Sequence, residues 1–70
     1  MDTNKLITEA RDTLSLLARM ALSRATMEHK ARFVLIHLDQ EGWQAMRISR
    51  IREEIERAVQ EVYGTEVRFD

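Results

Sequence analysis

The groups that could do chemistry are few and scattered. Two histidines, His29 and His37, the serines Ser15, Ser23 and Ser49, and twelve carboxylates stand in a chain of 70 residues that has no cysteine. Lacking cysteine, the chain has no disulfides, thiolate nucleophiles or thiolate metal ligands, as is ordinary for a reducing compartment. On one helix, residues eight apart lie about 80° apart around the axis and two turns apart along it, so the two imidazoles cannot share a metal there. No H-x-x-x-H pair is on offer. The two glycines, Gly42 and Gly64, stand alone, so no Gly-rich phosphate loop exists. The expectation is a non-enzyme with no catalytic residues, no cofactor and no metal ligand, its histidines serving as polar edges of an interface.

Guanidinium groups are the second chemistry. The segment "GWQAMRISRIRE" presents Gln44, Arg47, Ser49, Arg50 and Arg52 in the manner of a helix-turn-helix reading edge, polar at its start and basic along one side. Against this, Glu53, Glu54 and Glu56 follow at once and would sit near phosphates. The formal charge is −1 and the isoelectric point about 6.1, without the basic footprint usual for nucleic-acid binding. Residues 1–32 carry six Lys/Arg against four Asp/Glu (+2) and residues 33–70 five against eight (−3), so neither half is a polyelectrolyte. DNA or RNA binding through Gln44, Arg47, Arg50 and Arg52 is the alternative reading. A more remote one is that "RIREEIERAV" beside "ARDTLSLLARMA" is similar in texture to the helices of small all-helical chorismate mutases. That resemblance would imply a dimeric enzyme using arginines and acids, but the chain lacks those enzymes' length and recognisable spacing.

The elements that must position these groups read as helices. There is no proline, and most residues are strong helix formers. A first helix, near 3–24, starts after the cap-competent Asp2 or Thr3 and carries the stripe Leu6, Ala10, Leu14, Leu17, Ala21, leaving Leu16 and Met20 on its back. A second, near 26–41, has a stripe at Met27, Ala31, Val34, Leu35 and Leu38, and an opposite face of His29, Phe33, Ile36 and Gln40. It is continuous with the first in one alternative. Gly42 supplies a left-handed end to this helix, with Trp43 folding back near Leu38. A third, near 44–63, follows Ile48, Ile51, Ile55, Ala58 and Val62 and ends at Gly64. The tail 65–70, "TEVRFD", alternates Thr65, Val67 and Phe69 with charges, strand-like but too short to stand alone. No basic and apolar leader opens the chain, and no apolar run approaches the ~20 residues that span a bilayer, so a cytoplasmic location is expected.

The expected fold is therefore all-α: one three-helix domain over residues 1–70, a compact bundle or a helical hairpin plus a third helix, with a short extended C-terminal tail and dimeric assembly. A chain this short buries only about 60% of its unfolded surface, so association with another chain is a natural source of extra stability. A second apolar face fits that need. Leu16, Met20, His29, Phe33, Ile36 and Gln40, with Trp43 and Met46 at the corner, form the expected protein interface, and the expected function is a small regulator, adaptor or inhibitor that acts on a protein target or a second copy.

Overall fold

The computed structural model describes residues 2–70 and shows an α/β fold, not an all-α one. The order is α1 (Asn4–Glu9), α2 (Leu16–Ser23), β1 (Thr26–His29), β2 (Phe33–His37), α3 (Gln40–Ala45), α4 (Ser49–Tyr63) and β3 (Glu66–Phe69). The expected second helix is a β-hairpin, and the tail is the third strand of the same sheet. The order is β1-β2-β3, with β2 antiparallel to β1 and parallel to β3.

The correction has a plain physical cause. Phe33 to His37 is rich in β-branched and aromatic residues, which suit a pleated surface. On a strand, alternation gives every apolar residue a place: Val34 and Ile36 enter the core while Phe33, Leu35 and His37 take the other face, half-buried. Met27 pairs with Ile36 and Val67 with Val34, so the inner face continues across all three strands. A helix would have put Ile36 on the back, in water. It is instead 0% exposed.

The first helix breaks in two across residues 10–15. Ser15 caps α2, its hydroxyl accepting from the Ala18 N–H, and its own N–H donates to Glu54 Oε1 at 2.8 Å on α4. Leu6, Ala10, Leu14 and Ala21 of the expected stripe are buried, but after the break Ala18 and Leu22 join them and Leu17 faces water. Thr3 is buried, and its hydroxyl donates to the Leu22 carbonyl, clasping α1 to the end of α2.

Gly42 does not end a helix. It lies inside α3, where an added Cβ would meet Leu38 and Asp39 Oδ1 at 3.2 Å, and its N–H donates to that Asp39 oxygen, which caps the helix at 2.7 Å. Trp43 accordingly lies within α3 rather than beyond a helix end, and its N–H donates to the Asp39 carbonyl. Gly64 does end α4 in the left-handed region (φ 67°), the sole positive φ among the described residues. The buried line Ile51, Ile55, Ala58 of α4 follows the expected stripe, while Ile48 sits at the α3–α4 turn, 47% exposed. With the all-helical premise gone, the chorismate-mutase likeness goes too. Among the described residues no helix is long and apolar enough to cross a membrane.

The pleat makes opposite demands on neighbouring residues of β2. Ile36→Ala should lower the unfolding free energy by about 2–4 kcal/mol and Leu35→Ala by less than about 1.5, read from urea midpoints. A helical second segment would reverse that order.

Candidate functional site

The connection from β2 to β3 builds the most promising surface. Asp39 caps α3, α3 ends at Ala45, three residues turn the chain, and α4 runs back to Gly64, whose left-handed backbone redirects the chain into β3 beside β2. Along the α3–α4 corner lies a groove lined by Gln40, Trp43, Gln44, Met46, Arg47 and Arg52. Its lining holds two guanidinium groups, two amides and an indole that is 40% exposed, and no carboxylate. Arg52 lies over the Phe69 ring, 5.5 Å from its centroid, a cation–π approach that joins the groove to β3.

Three of the nearby acids, Asp39, Glu41 and Glu54, are engaged elsewhere. Asp39 Oδ2 takes the Arg24 Nε at 2.9 Å, and the same guanidinium reaches Glu41 at 3.1 Å. Glu54 is held by the Ser15 N–H, with Arg50 at 3.7 Å. The groove's positive character is reinforced by the start of α4, which has no side-chain cap and no acid in its first turn, so its free N–H groups present a partial positive charge.

Of the expected nucleic-acid contacts, Gln44, Arg47 and Arg52 come together in this groove, whereas Arg50 turns toward Glu54 on another side of α4. Of the expected protein interface, Gln40 and Trp43 also line it. Met46 lines it too but is 96% removed from solvent as part of the core, being 4% exposed. The rest of that interface does not form one face. Ile36 is core, and Phe33, three residues away on a strand, points to the opposite side of the sheet, where Arg68 covers its ring at 4.2 Å. His29 packs edge-on against Tyr63 with ring centroids 4.8 Å apart. Leu16 and Met20 remain exposed on α2, and Met20 with Leu17 and Ile48 lines a second groove between α2 and α3, whose other residues include Arg24, Glu41 and Gln44. Sequence reasoning missed Leu17 as a surface residue, because it did not find the break at residues 10–15; Phe69 was legible on the strand-like tail, but not its place beside Arg52.

The histidines lie at opposite ends of the hairpin and on opposite faces of the sheet. On the open face, His37 Nδ1 is 2.9 Å from Asp70 Oδ2, and its Nε2 is 3.7 Å from Glu28 Oε1. Glu28 is held below the usual carboxylate range chiefly by its hydrogen bond with Lys30 and secondarily by His37. Among the described residues, no cluster of His, Asp and Glu could hold a metal ion.

No family model, curated protein or solved structure matches the chain.

Glu54 ties α4 to the start of α2. The Ser15 N–H holds its carboxyl below the ordinary range of about 4.5, against the opposing effect of burial. A folded value below the unfolded one means this contribution is complete above that range and is lost as pH falls through the folded value. Glu54→Gln should therefore cost about 1 kcal/mol at neutral pH and leave stability less sensitive to acid, measured by urea unfolding at about pH 7 and pH 3.

Proposed function

We propose that this protein is a non-enzymatic binder of single-stranded nucleic acid, which it holds along the α3–α4 groove. The observation that carries the reading is the composition of that groove: Trp43, Arg47 and Arg52 with two amides, and no carboxylate, in a protein whose net charge is negative. An exposed indole is a stacking platform for any base, guanidinium groups supply phosphate contacts or stack themselves, and amides can read base edges. The turn Met46-Arg47-Ile48 has no glycine, so it is not the GXXG loop that clamps nucleotides through its backbone. Grip on the phosphates would fall to the Arg47 and Arg52 side chains and to the uncapped start of α4. A duplex reading by α4 in a major groove is the weaker form, since Arg50 is drawn toward Glu54 and Glu53 and Glu56 follow on that helix.

A second reading, docking of a protein partner, is favoured by Leu17, Met20 and Ile48, large apolar side chains left in water along the groove between α2 and α3, and by exposed Leu16 on α2. A partner helix laid there would contact none of the groove arginines, so Met20→Glu should release it while leaving oligonucleotide binding intact.

Labelled single-stranded oligonucleotides titrated by fluorescence anisotropy test the first reading. Binding should quench Trp43, the single tryptophan, and weaken steeply with salt. Arg47→Ala with Arg52→Ala should lower the salt slope by about 1–2, and Trp43→Ala should cost about 1–3 kcal/mol, whereas Arg50→Ala should change little. Absence of salt-dependent binding to any single strand, or binding indifferent to Arg47 and Arg52, would sink the proposal.

A further inference from the structure

β3 is an edge strand, and its backbone pattern is readable. Asp70 both donates to the Ile36 carbonyl and accepts from the Leu38 N–H, so it turns both of its groups toward β2. In a parallel ladder such residues alternate, so Glu66 and Arg68 also face β2, while Val67 and Phe69 direct their N–H and C=O away from the sheet. Nothing among the described residues pairs with that edge. By contrast, the other edge of the sheet is partly closed by Asp2, which bridges Thr26 on β1. The strand has no proline and no bulge to discourage addition of another strand.

The side chains on β3 specify what can be added. Glu66 and Arg68 lie on the open face, and neither has an ion-pair partner among the described residues. Val67 and Phe69 lie on the inner face, only partly buried against the core. Consider a second copy adding antiparallel through this edge. Residues that direct their backbone outward must oppose each other, so a twofold axis can fall at Glu66, Val67, Arg68 or Phe69. An axis at Phe69 sets Arg68 against Asp70, whose carboxylate is already taken by His37 at 2.9 Å. An axis at Glu66 opposes two glutamates. One at Arg68 opposes two arginines and sets Glu66 against Asp70. With the axis at Val67, Glu66 faces Arg68 of the second copy, Arg68 faces its Glu66, Val67 meets Val67, and Phe69 lies beside Thr65. Opposite charges directly across strands stabilise a sheet and like charges weaken it, so the Val67 register, which joins Arg68 to the otherwise unpaired Glu66, is the one that the strand's free charges favour.

We infer that the free edge of β3 is a self-association surface, on which two copies of the chain pair antiparallel about Val67 to make one continuous six-stranded sheet. The occupant is a second copy and no other strand, because the two unpaired charges of one β3 are the complement of those of another. This inference is independent of the nucleic-acid reading, since it uses the strand's outer edge and not the groove.

Charge reversal tests it on the whole chain, with mass read by light scattering behind size exclusion across a concentration range and folding checked by circular dichroism. Wild-type protein should form a dimer. Arg68→Glu alone and Glu66→Arg alone should each weaken dimerisation about tenfold or more, because each sets like charges across both symmetric pairs. Mixing the two variants should restore dimerisation as a heterodimer, since each Glu then faces an Arg. Recovery on mixing also shows that both variants fold. A wild-type chain that stays monomeric up to about 1 mM would overturn the inference, as would a dimer unchanged by either reversal, or two weakened variants that do not recover when mixed. A dimer lost instead on Met20→Glu would assign self-association to α2 and overturn it equally.

Discussion

Every helix lies on one side of a three-stranded sheet, and β2 is the strand that makes this possible. It is the central strand, hydrogen-bonded on both sides, and of its five residues Val34 and Ile36 enter the core. Around that pair gather Met27 from β1, Leu6 from α1, Leu22 from α2, and Ile51 and Ile55 from α4. A chain of this size without disulfides has little apolar surface to bury, so it cannot leave an element greasy on two sides unless both sides are used. The central strand is an economical solution: its edges are satisfied by neighbouring strands, one face by the core, and the other by half-burial under long polar side chains such as Arg68 over Phe33.

Once β2 is fixed, the return to a parallel β3 dictates the site. Parallel neighbours need a crossover, and here the crossover is the α3–α4 corner. Its two ends are chemically marked. Asp39 leaves β2 and immediately caps α3, and Gly64 releases α4 in a conformation that costs a residue with a side chain more than it costs glycine. The exposed corner between them carries Trp43 and Arg47, and the strand reached at the end carries Phe69 beneath Arg52. The groove is thus a consequence of the topology, and its chemistry is confined to side chains the core does not need.

This division explains what the sequence made legible. The α4 stripe and the role of Gly64 can be read directly, because fifteen residues give a helical period time to declare itself. The alternation of Val67 and Phe69 is also visible, but four residues are too short to be told from a tail until β2 is there to pair with them. The hairpin is hidden for two reasons. A short apolar run carries no clear period, so Phe33–Leu38 fits a strand and a two-faced helix equally. Its turn lacks the usual signal as well: the Lys30 N–H closes on the Phe33 carbonyl around Ala31 and Arg32, with no glycine or asparagine and no positive φ among them. Gly42 then misleads further, being a lone glycine whose purpose is space beside Leu38 and Asp39 rather than left-handed backbone. Of the candidate groove, Gln40, Trp43, Gln44, Met46, Arg47 and Arg52 were all visible as residue types, but in two separate groups, since the corner that unites them depends on the hairpin before it.

Net charge was the observation that weighed most against a nucleic-acid partner, and the fold shows why it is a poor guide at this size. A charge of −1 describes the whole surface, whereas a ligand responds to the potential within about a Debye length of where it binds. Arg24 draws Asp39 and Glu41 together, Ser15 occupies Glu54, and Lys30 and His37 occupy Glu28 on the far face of the sheet. These acids are neutralised or oriented by partners that the chain supplies itself, and Arg47 and Arg52 are left without such partners in a groove that contains no carboxylate. The same strand also connects the two surfaces of interest. Phe69 gives its ring to Arg52 on the groove side, and its backbone N–H and C=O face the free edge of β3. Anything that orders that edge restricts the ring on which Arg52 rests. A strand added at β3 would therefore favour one placement of the guanidinium, lowering the ordering cost of a ligand that uses that placement and raising it for one that does not.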